Sequence, residues 1–203
     1  MIAGLLLAVA APAGGAIEAE RAFVADAQKL GQWTAFRKWS ADDAIMFLPE
    51  ASSAREFLEG RKDPEVAVFW WPGQSYLSCD GSAAVNSGPW IRSWGKSAGY
   101  FTTVWKRQDD GGWKWVLDHG DELAKPRAEG GDIKPRQASC SGKVKAPPPM
   151  AGVAGAKTGG GQSSDGTLAW RWAVRPDGSR RLEALLWNGK GWDKVISDSV
   201  RAQ

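Results

Sequence analysis

The N-terminal part of the chain carries the apolar spacing of helices. Within residues 17–30 the apolar side chains recur at helical spacing, and Gly31 ends the run. Thr34 stands where it can cap a short second helix. Ser53, with Glu56 three residues later, is a capping-box pattern that predicts a third helix. The pattern therefore predicts three helices ahead of the long strands.

The period then changes to the alternation that is typical of strands. Apolar, β-rich runs separated by turn signals occupy residues 66–71, 75–78, 83–94, 99–107 and 113–121. The pair Asp80-Gly81 and the acidic, glycine-rich residues 109–112 are hairpin signals. Helices followed by mostly antiparallel strands are typical of an α+β fold.

A second group of strands is predicted near the C-terminus. Apolar runs at 167–175, 182–187 and 192–197 are separated by a Pro-Asp-Gly turn and an Asn-Gly turn. They read as a three-stranded meander, or as a hairpin plus a short strand. A segment of 37 residues is marginal as an independent domain. We therefore expect this β extension, residues 167–203, to pack on the main sheet or to extend it.

Residues 124–166 between these two groups have the composition of a linker. They contain 9 Gly and 5 Pro, with no aromatic residue and no Leu. Such a segment cannot bury enough apolar surface to offset its chain entropy, so we predict a flexible Gly/Pro-rich linker. It also holds 7 Lys and Arg against 3 acids, which accounts for the net charge of +3 of the chain. These bases are scattered without interleaved aromatic residues, so nucleic acid is not an expected partner.

The first sixteen residues are predicted to be a signal peptide. Leu5 begins an unbroken apolar run that ends at Ala11, and Gly14 and Ala16 are small residues at the −3 and −1 places of a cleavage site. An apolar helix of the fold and a membrane anchor are the alternatives. The run is shorter than the roughly 20 residues that span a bilayer, so we expect no stable membrane insertion. The mature chain is therefore expected to be periplasmic or secreted.

The two cysteines fit that expectation. Exported compartments favour disulfides, so Cys79 and Cys140 are predicted to form a bridge. The alternative is two unpaired thiols. A bridge would close a separation of 61 residues and tie the linker back to the sheet.

The rest of the composition limits the chemistry. There are 13 Trp beside 6 Phe and 2 Tyr, but only one His. A His-rich metal site and a structural zinc site with Cys ligands are therefore excluded, and we expect no metal and no cofactor. Hydrophobic residues at 43% and charged residues at 24% are ordinary for a globular protein, which excludes a wholly disordered chain.

Several short motifs occur in order along residues 17–123: Asp42-Asp43-Ala44 after a helix, Gly99-Tyr100, Val104-Trp105, the Gly111-Gly112 turn and Trp113-Lys114. In this order they resemble the nuclear-transport-factor-2-like superfamily, in its SnoaL-like branch of small secreted domains of unknown function. The resemblance implies a cone-shaped α+β domain, in which a curved antiparallel sheet wraps round three helices and encloses an apolar pocket. The C-terminal β extension lies outside the common pattern.

The resemblance does not extend to the steroid isomerases of that superfamily. In those proteins a general-base Asp stands before a Pro, and a Tyr of the first helix helps to stabilise the oxyanion. Here motif matching puts Leu48 before Pro49, and the only tyrosines are Tyr76 and Tyr100. Leu48 cannot take a proton from a substrate, so an isomerase of that type is not expected.

The single histidine is the candidate for acid–base chemistry. By period-2 counting, His119 lies on the same face of its strand as Trp113, Trp115 and Leu117. If this face lines the pocket, His119 and Asp121 form an acid–base pair. The alternative is a hydrogen-bonded histidine at the end of the sheet.

Two further sequence features bear on the site. The candidate pocket wall consists of Trp33, Tyr100, Trp113 and Trp115. Residues 95–99 match the G-x-S-x-G motif of hydrolases, but that motif needs a helix after the Ser, and here a strand pattern follows. We interpret residues 95–99 as a turn between strands.

Two functions remain open from the sequence. The first is an exported domain that binds a small apolar ligand, either without chemistry or with a weak lyase- or isomerase-type activity. The second is a carbohydrate- or cell-envelope-binding module that uses exposed tryptophans, with Trp170 and Trp172 as candidates. A second copy of the chain is a candidate partner. Buried tryptophans around a closed cavity would favour the first function, and coplanar exposed ones the second.

Overall fold

A computed structural model describes residues 15–125, 127 and 133–202. The helices are α1 (Ala16–Leu30), α2 (Gln32–Trp39) and α3 (Ala54–Leu58). The strands are β1 (Ser40–Phe47), β2 (Ala51–Ser53), β3 (Phe69–Trp70), β4 (Gln74–Leu77), β5 (Ala83–Arg92), β6 (Ser97–Arg107), β7 (Trp113–Leu123), β8 (Arg136–Gln137), β9 (Lys157–Gln162), β10 (Leu168–Val174), β11 (Arg180–Trp187) and β12 (Trp192–Val200). The predicted α+β class and the three helices are confirmed, but β1 and β2 lie between α2 and α3, so the helices do not all precede the long strands.

The helix ends follow partly from the predicted caps. Ser53 caps α3, because its hydroxyl accepts a hydrogen bond from the Glu56 N–H, as the capping-box pattern predicts. Helix α2 begins at Gln32, so Thr34 lies inside it and does not cap it. The Thr34 hydroxyl and N–H instead donate to the carboxylate of Asp63, a loop residue, which satisfies free N–H groups at the start of the helix.

The larger sheet has eight strands in the order β2-β1-β7-β6-β5-β4-β8, with β3 paired to β5. Most neighbours are antiparallel, but β1 runs parallel to β7 and β8 runs parallel to β4. The helices cover one face of this sheet. Phe23 of α1 stands at the centre of that layer, with ring contacts to Phe36, Trp70 and Trp105.

The smaller sheet has four antiparallel strands in the order β12-β11-β10-β9. It packs on the other face of the larger sheet, where Val85, Val104 and Leu117 meet Leu182 and Leu186. The molecule therefore has three layers, with the larger sheet buried on both faces over this area. The expectation that the C-terminal strands pack on the main sheet is confirmed.

The predicted linker differs from the structure. Strands β8 and β9 both lie within residues 124–166, and β9 forms the edge of the smaller sheet. The composition of residues 157–162 did not predict β9, because glycine is uncommon in strands. In β9 the glycines are needed for packing. A Cβ atom at Gly159 or Gly161 would lie about 2.5 Å from the rings of Trp172 and Trp170. The bare backbone of β9 lets these two indoles lie against it.

Residues 141–152 cross the smaller sheet without secondary structure of their own. Their carbonyl groups accept hydrogen bonds from indole and guanidinium groups of that sheet, a substitute for regular backbone pairing. The donors are Trp187 to Ser141, Trp192 to Lys145, Arg171 to Pro148, Arg181 to Ala151 and Arg175 to Gly152. The division of the chain at residues 16, 123 and 166 stays a prediction.

The predicted Cys79–Cys140 disulfide is present, with a Cα–Cα distance of 5.1 Å. It lies beside a contact between two hairpin turns, one from each sheet. The N–H of Asp80 donates to Asp165, and the N–H of Asp165 donates to Asp80, each over 3.0 Å. The disulfide therefore reinforces a place where the two sheets are already joined.

The predicted signal segment falls largely outside the described residues. Only Gly15 and Ala16 of it are described, and Ala16 is the first residue of α1. None of the helices in the described ranges is both long and apolar enough to cross a bilayer.

Candidate ligand pocket

A pocket of about 460 Å³ opens between the helices and one end of the larger sheet. Its wall is mostly aromatic and apolar, with Trp33, Phe36, Met46, Phe47, Val68, Trp70, Trp90, Tyr100 and Phe101. The polar side chains in its lining are Gln32, Arg92, Asp118, Asp121 and Glu122, with the imidazole-bearing His119 beside them. A concave apolar wall with few polar groups is the usual form of a small-molecule site.

Asp118 is the carboxyl group with an unusual environment in this wall. It lies on β7, and the Thr103 hydroxyl of β6 donates to its Oδ1 over 2.9 Å. Burial raises the pKa of Asp118 to about 7, and the nearby Glu20 carboxylate also raises it. The pKa of this side chain is therefore shifted from the usual range of a carboxyl group towards neutral pH.

Glu20 of α1 lies behind the pocket wall and is fully buried. Its two carboxyl oxygens accept hydrogen bonds from the indole N–H groups of Trp70 and Trp105, at 2.8 and 2.7 Å, and from the Asn86 amide at 3.3 Å. Burial raises the pKa of Glu20 to about 7, although these hydrogen bonds lower it. Glu20 holds Trp70, a wall residue, in place.

A β-bulge in β7 decides which side chains reach the pocket. Val104 of β6 pairs with Leu117 and the next residue, Trp105, pairs with Trp115, so Val116 is an extra residue on β7. An extra residue reverses the alternation of side chains beyond it. Asp118 consequently faces the helices.

The predicted shared face of β7 is therefore wrong. Trp113 and Trp115 pack in the layer between the helices and the sheet, whereas Leu117 packs between the two sheets. Neither Trp113 nor Trp115 lines the pocket. Of the four predicted wall residues, Trp33 and Tyr100 do line it.

His119 borders the pocket, but its imidazole faces the smaller sheet. The side chain has no solvent exposure. Its Nδ1 accepts a hydrogen bond from Arg180 Nε over 3.2 Å, so the neutral ring carries its proton on Nε2. Nε2 lies 3.3 Å from the Tyr100 hydroxyl and 3.7 Å from Asp198. Burial, together with the two nearby arginines Arg180 and Arg127, holds the pKa of His119 well below its usual value.

The predicted pairing of His119 with Asp121 is replaced by one with Asp198. Asp198 of β12 accepts hydrogen bonds from Arg127 over 2.6 Å and from the Thr102 hydroxyl over 2.7 Å. We call His119, Arg127, Arg180 and Asp198 the inter-sheet ionic cluster. A neutral, enclosed imidazole in this position joins the two sheets, which agrees with the structural alternative for His119.

The pocket mouth carries the exposed charges. Arg92 and Glu122 form an ion pair over 3.6 Å, and the guanidinium of Arg92 lies 5.5 Å from the ring centre of Trp90. Asp121 is also at the mouth, and its carboxylate accepts from the N–H of Glu122. The exposed ion pair of Arg92 and Glu122 contrasts with the aromatic interior.

Other predicted features also have a place in the structure. Gly95 and Lys96 lie in the turn between β5 and β6, and Ser97 begins β6, so the predicted turn is confirmed for the first two residues of the motif, and a strand follows as predicted. Leu48 is 42% exposed in the loop after β1. Trp170 is buried and Trp172 packs on Phe47 between the sheets, so neither forms an exposed platform. No group of three metal-binding side chains occurs in the part of the chain that the structure describes.

Sequence reasoning missed Glu20, Asp118, Arg180 and Asp198. Glu20 sits at a helical position between apolar residues, which is the one signal that could have marked it as buried. Asp118 was assigned to the wrong face because the bulge leaves no mark in the sequence. Arg180 and Asp198 depend on the contact between the two sheets, which no local pattern predicts.

No protein-family model matches the chain, and no curated protein matches it. Among solved structures, it is similar to a nuclear transport factor 2-like protein of unknown function from Shewanella oneidensis, at 17% identity and a TM-score of 0.42, over 51% of this chain and 94% of that one. It is also similar to a nuclear transport factor 2-like superfamily protein from Salmonella enterica serovar Typhimurium, at 16% identity and a TM-score of 0.41, over 54% of this chain and 89% of that one. These similarities concern the fold and carry no activity over to this chain.

Proposed function

We propose that this chain binds a small, flat, apolar molecule in the pocket between the helices and the larger sheet. The observation that carries the proposal is an aromatic wall that contains a carboxyl group with a raised pKa, Asp118. The aromatic wall supplies apolar contact area, and Asp118 supplies one oriented polar contact. A ligand that carries a single hydroxyl or carbonyl group on a ring system matches this lining.

The binding test changes one valine that lines the pocket and, as a control, one valine outside it. Val68 lines the pocket, and Val66, two residues earlier, is 45% exposed outside it. We expect Val68→Phe to fill the pocket and weaken the binding of 2-naphthol about tenfold, which corresponds to about 1.4 kcal/mol. Val66→Phe is the matched control and should bind like the parent chain. Quenching of tryptophan fluorescence measures the affinity, and equal affinity in both variants would overturn the proposal.

The role of Asp118 is tested by pH. A carboxylate accepts a hydrogen bond from the naphthol hydroxyl better than a carboxylic acid does, so affinity should rise as the pH rises through about 7, the pKa of Asp118. Asp118→Asn should remove this rise. Asp121→Asn, at the pocket mouth, should keep it. A rise that persists in Asp118→Asn would assign the polar contact to another group.

A proton-transfer activity is the second candidate function, and the raised pKa of Asp118 favours it. A general acid or base works best when its pKa lies near the working pH. The Asp118 carboxylate would take a proton from the carbon next to a ketone, leaving an enolate, and would return the proton as carboxylic acid. Deuterium exchange into 2-tetralone, followed by NMR, should be faster with the parent chain than with Asp118→Asn.

We also propose that the chain is exported. The disulfide and the apolar N-terminal residues support this proposal, because disulfides persist in oxidising compartments. N-terminal sequencing of the mature protein should then begin at Ile17. A mature chain that keeps residues 1–16 would contradict cleavage.

A further inference from the structure

A second cleft, of about 230 Å³, lies on the outer face of the smaller sheet. Its lining contains Gly152, Ala156, Ala173, Arg175, Ser179, Arg180, Arg181, Ser199, Val200 and Arg201, and no carboxylate. The guanidinium of Arg180 faces His119 between the sheets, so three arginines remain for the cleft. It is smaller than the roughly 300–1,000 Å³ pockets that hold drug-sized ligands. Its size and its charge both suit a small anion.

The sheet register explains how the arginines converge. Arg181 on β11 stands between Ala173 on β10 and Ser199 on β12, in one row across the sheet. Ala173 is too short to fill the space beside Arg181, which leaves a hollow. Arg175 reaches it from the turn after β10, and Arg201 from the residues after β12.

Two of these guanidinium groups are held in place by the chain that crosses the sheet. Arg175 donates to the Gly152 carbonyl over 2.9 Å, and Arg181 donates to the Ala151 carbonyl over 2.8 Å. Each uses only part of its five donors in this way, so N–H groups remain for a ligand. Groups that are already ordered lose less entropy when they bind a ligand.

The nearby carboxylates leave this face with an excess of positive charge. Glu183 is shared by Arg171, Arg181 and Lys194, so one negative charge faces three positive ones. Asp177 accepts hydrogen bonds from the backbone and hydroxyl of Ser179 in its own turn. Arg201 is exposed and makes no hydrogen bond or ion pair with the other described residues. Glu183 pairs with Arg181, and the Asp177 carboxylate lies near Arg175, so two carboxylates balance only part of the positive charge at the cleft.

We propose that this cleft binds a tetrahedral oxyanion, namely phosphate, either free or as the phosphate group of a larger molecule. Guanidinium groups bind phosphate oxygens with paired N–H donors, and three of them converge here from three elements. The Ser199 hydroxyl adds a neutral donor at the same place. The site is separate from the aromatic pocket, and the proposal does not depend on the function proposed for that pocket.

The experiment follows backbone amide signals of the isotope-labelled full chain by NMR during titration with inorganic phosphate. Sodium chloride keeps the ionic strength constant, so that screening does not change. We expect saturable shifts at Ala173, Ser199 and Arg201. Shifts that do not saturate, or that spread evenly over the surface, would overturn the proposal.

Two charge-matched variants separate a site from general attraction. Arg201→Gln removes a guanidinium group that holds no other part of the chain and should weaken phosphate binding about tenfold, the loss expected for one charged hydrogen-bonding group. Arg55→Gln removes the same charge on α3, away from the cleft, and should leave the affinity unchanged. Equal weakening in both variants would contradict the proposal.

A second ligand distinguishes the two sources of phosphate. Phenyl phosphate carries the same anion on a small ring. Affinity at least fivefold higher than that of inorganic phosphate assigns the site to a phosphorylated molecule, whereas equal affinity assigns it to the free anion. Failure of both ligands to bind refutes the site and leaves the aromatic pocket untouched, because naphthol binding is measured separately.

Discussion

At the scale of single residues, the tryptophans show two ways of burying an indole. Trp105 is fully buried, and its N–H donates to Glu20 over 2.7 Å. Trp115 is equally buried in the same layer, but its N–H has no hydrogen-bond partner among the described residues. The two side chains therefore bury similar apolar area and differ in one hydrogen bond to a carboxyl group.

This difference gives a paired stability prediction. Trp105→Phe removes an N–H that Glu20 uses, whereas Trp115→Phe removes an N–H that is unpaired. A hydrogen bond to a charged group contributes about 1.5–3 kcal/mol, and an unpaired buried N–H costs about 1–3 kcal/mol. We expect Trp105→Phe to be less stable than Trp115→Phe by at least about 2.5 kcal/mol in urea unfolding above pH 8, where Glu20 is mostly a carboxylate. Equal loss of stability would mean that the Glu20 contact contributes nothing.

The raised pKa of Glu20 predicts how stability depends on pH. The pKa of Glu20 rises from 4.5 to about 7 in the folded chain, so the folded state binds more protons than the unfolded state between these values. The contribution of Glu20 is therefore complete below pH 4.5 and decreases as the pH rises to about 7. Glu20→Gln should lack this decrease, with a difference on the order of 3 kcal/mol across the window.

The control for this measurement is Glu18→Gln, an exposed acid of the same helix. It should follow the pH profile of the parent chain. His119 acts in the opposite direction, because its pKa is lowered and acid favours its charged, unfolded form. Asp118 acts in the same direction as Glu20, because its pKa is also raised to about 7, so the parent chain and Glu20→Gln both keep a decrease from Asp118. The contribution of His119 to the pH dependence cancels when the variants are compared, since His119 is present in all of them. A Glu20→Gln profile parallel to the parent profile would refute the assignment.

At the scale of elements, the helices and hairpins could be predicted from the sequence, but the register of β7 could not. The turn signals at Asp80-Gly81 and Asn188-Gly189 and the cap at Ser53 act through neighbouring residues, so a local pattern contains them. The bulge at Val116 is fixed by the pairing with β6, a partner outside its own sequence neighbourhood. One extra residue there exchanges the faces of Asp118 and His119. The sequence therefore selected Asp121 on this strand and passed over Asp118, although both line the pocket.

Strand β9 also could not be predicted from its own sequence, because its glycines depend on side chains of β10. Its Lys-Thr-Gly-Gly-Gly-Gln sequence has no strand propensity, and the indoles of Trp170 and Trp172 supply the reason for its glycines. A prediction follows for Gly161, where a Cβ atom would lie 2.5 Å from the Trp170 ring. Gly161→Ala should lower the free energy of unfolding by about 1–3 kcal/mol, the usual range for overpacking.

The matched control is Gly191→Ala, in the turn between β11 and β12. A Cβ atom at Gly191 meets no atom within 4 Å, so this change should cost little. Chemical denaturation of both variants, with the disulfide intact, measures the difference. A Gly161→Ala variant as stable as Gly191→Ala would show that β9 moves away from Trp170 at no cost.

At the scale of the whole molecule, the disulfide and the inter-sheet ionic cluster join the two sheets into one unit. The sheets share an apolar layer, and Asp198 of the smaller sheet binds groups of the larger one. Such shared burial predicts a single cooperative unfolding transition in place of separate melting of the smaller sheet.

The chain-entropy model assigns about 4 kcal/mol to a disulfide that closes a loop of this length. We expect the Cys79→Ala, Cys140→Ala double variant to unfold in one transition at lower temperature, since the apolar layer remains. Calorimetry, with near-UV circular dichroism as a second probe, measures the number of transitions. Two transitions in the parent chain would refute the single unit, whereas two transitions in the double variant alone would assign the coupling to the disulfide.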